Sequence, residues 1–244
     1  MLTNIMTGFR FKQFFIRHDQ CAMKVGTDGI LLGAWASNAN CQHILDLGTG
    51  SGLVAIMLAQ RYPQAQITGV EYDTQATQQA KENAKACPWQ HNIHIVGQSI
   101  EQFVASRQGS AVLTQFDLIV ANPPYFAQGV ACSSAQRELA RYQQQSHFAW
   151  LTMAQSCLGP QGKICFVLPV QAANLLKTQA KQTALYCIEQ CDIITKMGKT
   201  PHRTLISFAQ QASPLRQDNL VIYDQNNQYT DKFKQLTQAF YLKF

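Results

Sequence analysis

A chain of 244 residues is long enough to bury a full α/β core, and no Pro/Gly/Ser-rich linker, charge block or internal repeat divides it. With hydrophobic residues at 46% and charged residues at only 14%, the composition excludes a disordered chain, and no run reaches the roughly 18 apolar residues needed to cross a bilayer. The formal charge of +6, from 20 Lys+Arg against 14 Asp+Glu, favours a polyanionic partner without naming one.

The first 40 residues read as a preamble, with aromatics at Phe9, Phe11, Phe14 and Phe15 and an apolar helix over about 29–35. Residues 43–47 form a first strand, and the turn Gly48-Thr49-Gly50-Ser51-Gly52 leads into the helical pattern of 53–59. A second strand over 66–70 ends in Glu71, and Asp73 or Thr74 caps a helix running to Ala86 before Pro88. A strand over 92–96, a short helix over 99–106 and the apolar run 116–121 continue the βαβ rhythm of a parallel sheet. Beyond a polar loop over 126–145, Ser146 opens a helix that Gly159-Pro160 ends, then come a strand over 163–168 and a helix over 172–182. Strands over 185–194 and 204–209 are joined by the basic turn Lys196-Met197-Gly198-Lys199-Thr200-Pro201-His202-Arg203, too short for a helical crossover and hence antiparallel. The expected fold is Rossmann-like α/β: one domain over 1–244, a seven-stranded, mostly parallel sheet with one antiparallel strand, and helices on both faces. The many Gln residues sit in amphipathic segments and read as solvent-facing filler.

Asn122-Pro123-Pro124-Tyr125 follows the fourth strand, and open α/β sheets bind ligands at the strands' carboxyl edge. An amide acceptor, two donorless prolines and an aromatic ring there suit a planar group bearing an NH2. Glycines at 48, 50 and 52 allow close backbone approach to a ligand, but a dinucleotide fingerprint would put its third glycine one place later than Gly52. Asp46 before the turn suits an ammonium better than a phosphate, and Glu71 is able to accept from a ribose diol. The eight cysteines (21, 41, 87, 132, 157, 165, 187 and 191) contain no C-x-x-C pair, so reduced thiols and no metal site are expected. Without a charged n-region followed by a long apolar stretch at the start, a soluble cytoplasmic protein is expected.

Asp46 to Gly52, Glu71 and Asn122 to Tyr125 resemble the motifs of class I S-adenosylmethionine-dependent methyltransferases of the N-P-P-Y branch. That branch includes adenine-N6, rRNA guanine-N2 and release-factor glutamine methyltransferases. The segments 9–16, 21–35 and 199–203 narrow the resemblance to the bacterial tRNA (adenine-N6)-methyltransferases, over nearly the whole chain. The resemblance implies S-adenosyl-L-methionine as cofactor and, as substrate, the N6 amine of an adenosine next to the anticodon of a valine tRNA. It further implies cofactor contacts from Lys24, Thr27, Asp28, Asp46, Gly48, Thr49, Gly50, Gly52, Glu71, Tyr72 and Asn122. Relatives carry an acidic residue for the cofactor's adenine where this chain has Gln98-Ser99-Ile100, so Ser99 is the acceptor available. The catalytic group would be Asn122, Pro123, Pro124 and Tyr125, with Asn122 Oδ1 and the Pro123 carbonyl accepting the amine N–H bonds and Tyr125 stacking on the base. Arg10, Lys12, Arg17, Arg137, Arg141, Lys196, Lys199, His202 and Arg203 are candidate RNA contacts. No metal, membrane or obligate protein partner is called for. The rival classes are a protein-glutamine methyltransferase, an rRNA guanine-N2 methyltransferase and a non-catalytic RNA-binding module.

Overall fold

The computed structural model of the protein describes residues 7–107, 115–124 and 146–243. Tyr125 and the whole polar loop over 126–145, with Cys132, Arg137 and Arg141, lie outside the described residues.

The preamble folds as a hairpin of β1 (Gly8–Arg10) and β2 (Phe15–Arg17) followed by α1 (Thr27–Trp35). The hairpin's apolar side chains turn inward: Phe11, Phe14 and Ile16 are buried together with Ile56 and Met57 of α2 (Leu53–Arg61). The rings of Phe11 and Phe14 stack with centroids 4.6 Å apart.

The main sheet has the order β10-β8-β9-β7-β6-β3-β4-β5. Its strands are β3 (His43–Leu47), β4 (Gln66–Glu71), β5 (Ile93–Gly97), β6 (Phe116–Ala121), β7 (Leu158–Pro169), β8 (Tyr186–Lys196), β9 (Arg203–Ala209) and β10 (Arg216–Tyr223). Strand β9 alone is reversed, antiparallel to both β7 and β8. The eighth strand, β10, was not among the expected seven. It pairs parallel to β8 at the sheet's edge and buries only Leu220 and Ile222, so half of its sequence is polar and exposed.

Alternate residues of each central strand serve opposite faces. Leu45, Leu47, Ile119, Ala121, Ile164 and Phe166 pack toward α4 (Ile100–Arg107), α5 (His147–Cys157) and α6 (Val170–Gln179), while Ile44, Leu118, Val120, Cys165 and Val167 pack toward α1, α2 and α7 (Asp231–Thr237). Helix α3 (Thr74–Lys85), capped by Asp73 accepting from Ala76 N–H at 2.8 Å, lies against β4 and β5. From β3 the chain runs outward to β4 and β5 and then returns through β6 on the other side. The ligand crevice of such a sheet opens where the order reverses, between β3 and β6.

Candidate active site

Strand register brings the sequence motifs to one level. Leu47 lies opposite both Val70 and Ala121, so the next residues, Gly48, Glu71 and Asn122, leave the sheet side by side. Gly48, Gly50 and Gly52 have φ of 67°, 56° and 81°, backbone that L side chains rarely adopt. At Gly48 a Cβ would also sit 2.9 Å from Cη2 of Trp150.

Two carboxylates brace this turn. Asp46, 1% exposed, accepts from the Thr49 hydroxyl at 2.6 Å and from Ala55 N–H at 3.1 Å, and burial pushes its carboxyl up to about 7 despite those two bonds. Glu71 accepts from Gly50 N–H and Asp73 N–H, both at 2.9 Å, and burial raises its pKa as well. Both Asp46 bonds fall on Oδ2, which leaves Oδ1 for a ligand, and each Glu71 oxygen keeps a lone pair beyond its one bond.

Two cavities meet over the turn and share Met23, Gly48, Gly50 and Asn122. One, of 170 Å³, is walled by Lys24, Asp28, Asp46 and Thr49; the other, of 260 Å³, by Cys21, Glu71, Tyr72, Pro124 and Trp150. At their junction Asn122 Oδ1 is buried and has no hydrogen-bond partner among the described residues. A buried orphan acceptor costs about 1–3 kcal/mol, so its presence calls for a ligand donor.

The methyltransferase small domain model matches residues 23–190, more than half of the chain. This chain belongs to that family. The methyltransferase is 54% identical over 240 residues to the tRNA1(Val) (adenine(37)-N6)-methyltransferase of Haemophilus influenzae strain 86-028NP, covering 98% of this chain and 100% of the relative. It is 52% identical over 239 residues to the Pasteurella multocida protein of the same name, covering 97% and 98%. Among solved structures, a predicted O-methyltransferase from Agrobacterium tumefaciens aligns with a TM-score of 0.66 at 18% identity, covering 87% of this chain and 96% of that one. M. jannaschii TYW2, solved with AdoMet, aligns at 0.55 and 15% identity, covering 84% and 86%; these two likenesses concern the fold.

The other candidate residues of the methyltransferase fall in several places. Lys24 and Asp28 line the first cavity, but Thr27 faces a separate cavity of 120 Å³ with Tyr223 and His202. Ser99 is engaged at the start of α4, where its hydroxyl accepts from Gln102 N–H at 3.1 Å and Gln102 Oε1 accepts from Ser99 N–H at 3.0 Å. It lines neither cavity.

Several candidate RNA contacts are occupied within the fold. Arg17 pairs with Glu82 at 3.1 Å, Lys12 donates to the Gln238 carbonyl at 2.6 Å, and Arg203 Nε donates to Asp28 Oδ2 at 2.9 Å. Arg10 lies over the Phe15 ring at 4.8 Å, Lys196 donates to Asn227 at 2.6 Å, and His202 Nδ1 bonds Thr195 Oγ1 at 3.2 Å. Lys199 is exposed. Arg203 opposes Pro169 and Lys196 opposes Tyr223, so the basic turn stands on the same sheet edge as Gly48, Glu71 and Asn122. Sequence reasoning missed Trp150, which gave no signal beyond a lone Trp in a helix, and the cavity wall formed by Cys21, Ala22 and Met23. No group of His, Cys, Asp or Glu that would hold a metal occurs among the described residues, and none of their helices is long and apolar enough to cross a membrane.

Proposed function

We propose that the protein methylates the exocyclic N6 amine of an adenosine next to the anticodon of a valine tRNA, with S-adenosyl-L-methionine as methyl donor. The observation that carries this reading is Asn122 Oδ1, buried where the two cavities join and without a partner among the described residues. An adenine amine supplies the missing donor. The near full-length similarity to enzymes named for this reaction supports the same substrate.

The residues fit the donor. The glycine turn lets backbone approach it closely, Asp46 suits its ammonium, Glu71 accepts from its ribose hydroxyls, and Lys24, Asp28, Thr49 and Tyr72 wall the cavities around it. Bound S-adenosylmethionine supplies an electrophilic methyl group on a positively charged sulfur. Asn122 Oδ1 and the Pro123 carbonyl accept the two amine N–H bonds, which draws the nitrogen lone pair out of conjugation with the ring and aims it. Pro124 and Tyr125 hold the base, which has to leave its stack to reach them. No strong base is needed, because the amine turns acidic as it gains its new bond. Lys196, Lys199 and His202 on the shared edge, with Arg10 on the hairpin, meet phosphates. In this reading the whole chain acts as one methyltransferase domain whose first 40 residues cover the donor, and it meets its tRNA in the cytoplasm.

The test is methylation of unmodified valine tRNA by wild type and Asn122→Ala, read as N6-methyladenosine in the digested product.

A further inference from the structure

Helix α3 buries the stripe Ala76, Gln79, Ala80, Asn83 and Ala84, and two of these side chains are polar. Gln79 is fully buried; its Oε1 accepts from Gln20 N–H at 2.9 Å and from the Cys21 thiol at 3.3 Å, while its Nε2 donates to Asp19 Oδ1 at 3.0 Å. Asn83 Oδ1 accepts from Arg17 N–H at 3.0 Å, and its Nδ2 donates to the carbonyls of Arg17 and Ser51, both at 2.8 Å. The two amides therefore grip the segment 17–21, and Asn83 joins it to the glycine turn through Ser51. That segment continues directly into the cavity walls, with Cys21 and Ala22 lining the second cavity, Lys24 the first and Met23 both, whereas neither Gln79 nor Asn83 lines either one.

We propose that Gln79 and Asn83 are positioning residues for methyl transfer: they fix the segment 17–24 and the glycine turn at one spacing, and so set the affinity for the methyl donor. The proposal rests on reading the cavities as the donor site. Its physical basis is that lifting the segment strips Gln79 of all three of these bonds and leaves Asn83 only the one to Ser51, so the docked wall is favoured before any ligand arrives. Binding then spends little on ordering the wall.

The bond between Gln79 and Asp19 permits a swap. Gln79→Glu keeps an acceptor for Gln20 and Cys21 but sets a carboxylate against Asp19; adding Asp19→Asn restores the bond with donor and acceptor exchanged. Calorimetry with the demethylated product, S-adenosylhomocysteine, should show Gln79→Glu binding about tenfold more weakly and the double variant recovering most of that loss. Hydrogen exchange of the amides 17–24 should rise in Gln79→Glu and fall again in the double variant. In turnover, the donor KM should rise while kcat at saturating donor stays within about twofold. Gln79→Met, which keeps the volume and removes the bonds, should weaken product binding in the same direction as Gln79→Glu. Wild-type affinity in Gln79→Glu and Gln79→Met, or no recovery on adding Asp19→Asn, would overturn the positioning role. A wild type that does not bind the product would overturn the donor reading instead.

Discussion

Replacing Glu71 with Gln changes one atom and should disable the donor site. The carboxylate accepts Gly50 N–H with one oxygen and Asp73 N–H with the other, each at 2.9 Å. An amide has a single acceptor oxygen, so in either orientation its NH2 faces a backbone donor and one of the two bonds is lost. A hydrogen bond to a charged group contributes about 1.5–3 kcal/mol, and the orphaned N–H adds to that loss. When the NH2 faces Gly50, the turn between the cavities has to shift; when it faces Asp73, the start of α3 does. Donor affinity should therefore fall roughly 10- to 100-fold, and the unliganded protein should unfold at a lower temperature. Calorimetric titration with S-adenosylhomocysteine, paired with thermal unfolding, measures both. Affinity within about twofold of wild type would refute the view that Glu71 braces the turn.

Asn122→Ala should lower kcat on the order of 10²-fold with donor affinity nearly unchanged, and should leave Tm equal to or above wild type, because it removes a buried acceptor that has no partner among the described residues. Asp46→Asn should stabilise the protein at pH 8 but not near pH 4. Burial raises this carboxyl to about 7, so the folded state holds a proton that the unfolded chain releases at lower pH, and stability falls as pH rises through that interval. The same raised pKa predicts that wild-type donor affinity weakens below pH 7, as seen by calorimetry across pH; affinity flat from pH 5.5 to 8 contradicts it. Lys199→Glu should flatten the salt dependence of tRNA binding by about one contact and spare donor binding, whereas Arg203→Glu should weaken donor binding because Arg203 pairs with Asp28 in the cavity wall. Equal effects of the two variants on the donor would separate neither residue from the pocket.

Strands β3, β4 and β6 could be read from the sequence because each is a short run carrying buried aliphatic residues and followed or ended by Gly, Glu or Asn-Pro, and their register then aligned the motifs without further information. Strand β10 escaped because an edge strand with four exposed polar residues carries no alternation to detect. Composition marked Gln as surface filler, yet Gln79 is fully buried. The signal was positional: the Ala76, Ala80 and Ala84 stripe puts 79 and 83 on the buried face. Arg203 read as an RNA contact because a basic turn shows its charges and not their partners; Asp28 lies 175 residues away. Trp150 carried no pattern at all, since its place against Gly48 comes from α5 packing against α4, α6 and β7.

Nucleoside mass spectrometry of unmodified valine tRNA, incubated with the enzyme and S-adenosylmethionine carrying a labelled methyl group, identifies the methylated atom. Wild type should place labelled N6-methyladenosine at the adenosine beside the anticodon, and Asn122→Ala should lower its yield on the order of 10²-fold. Label absent from the tRNA but present on a release-factor glutamine in a parallel reaction, or on a guanine N2 amine of rRNA, would contradict this substrate assignment.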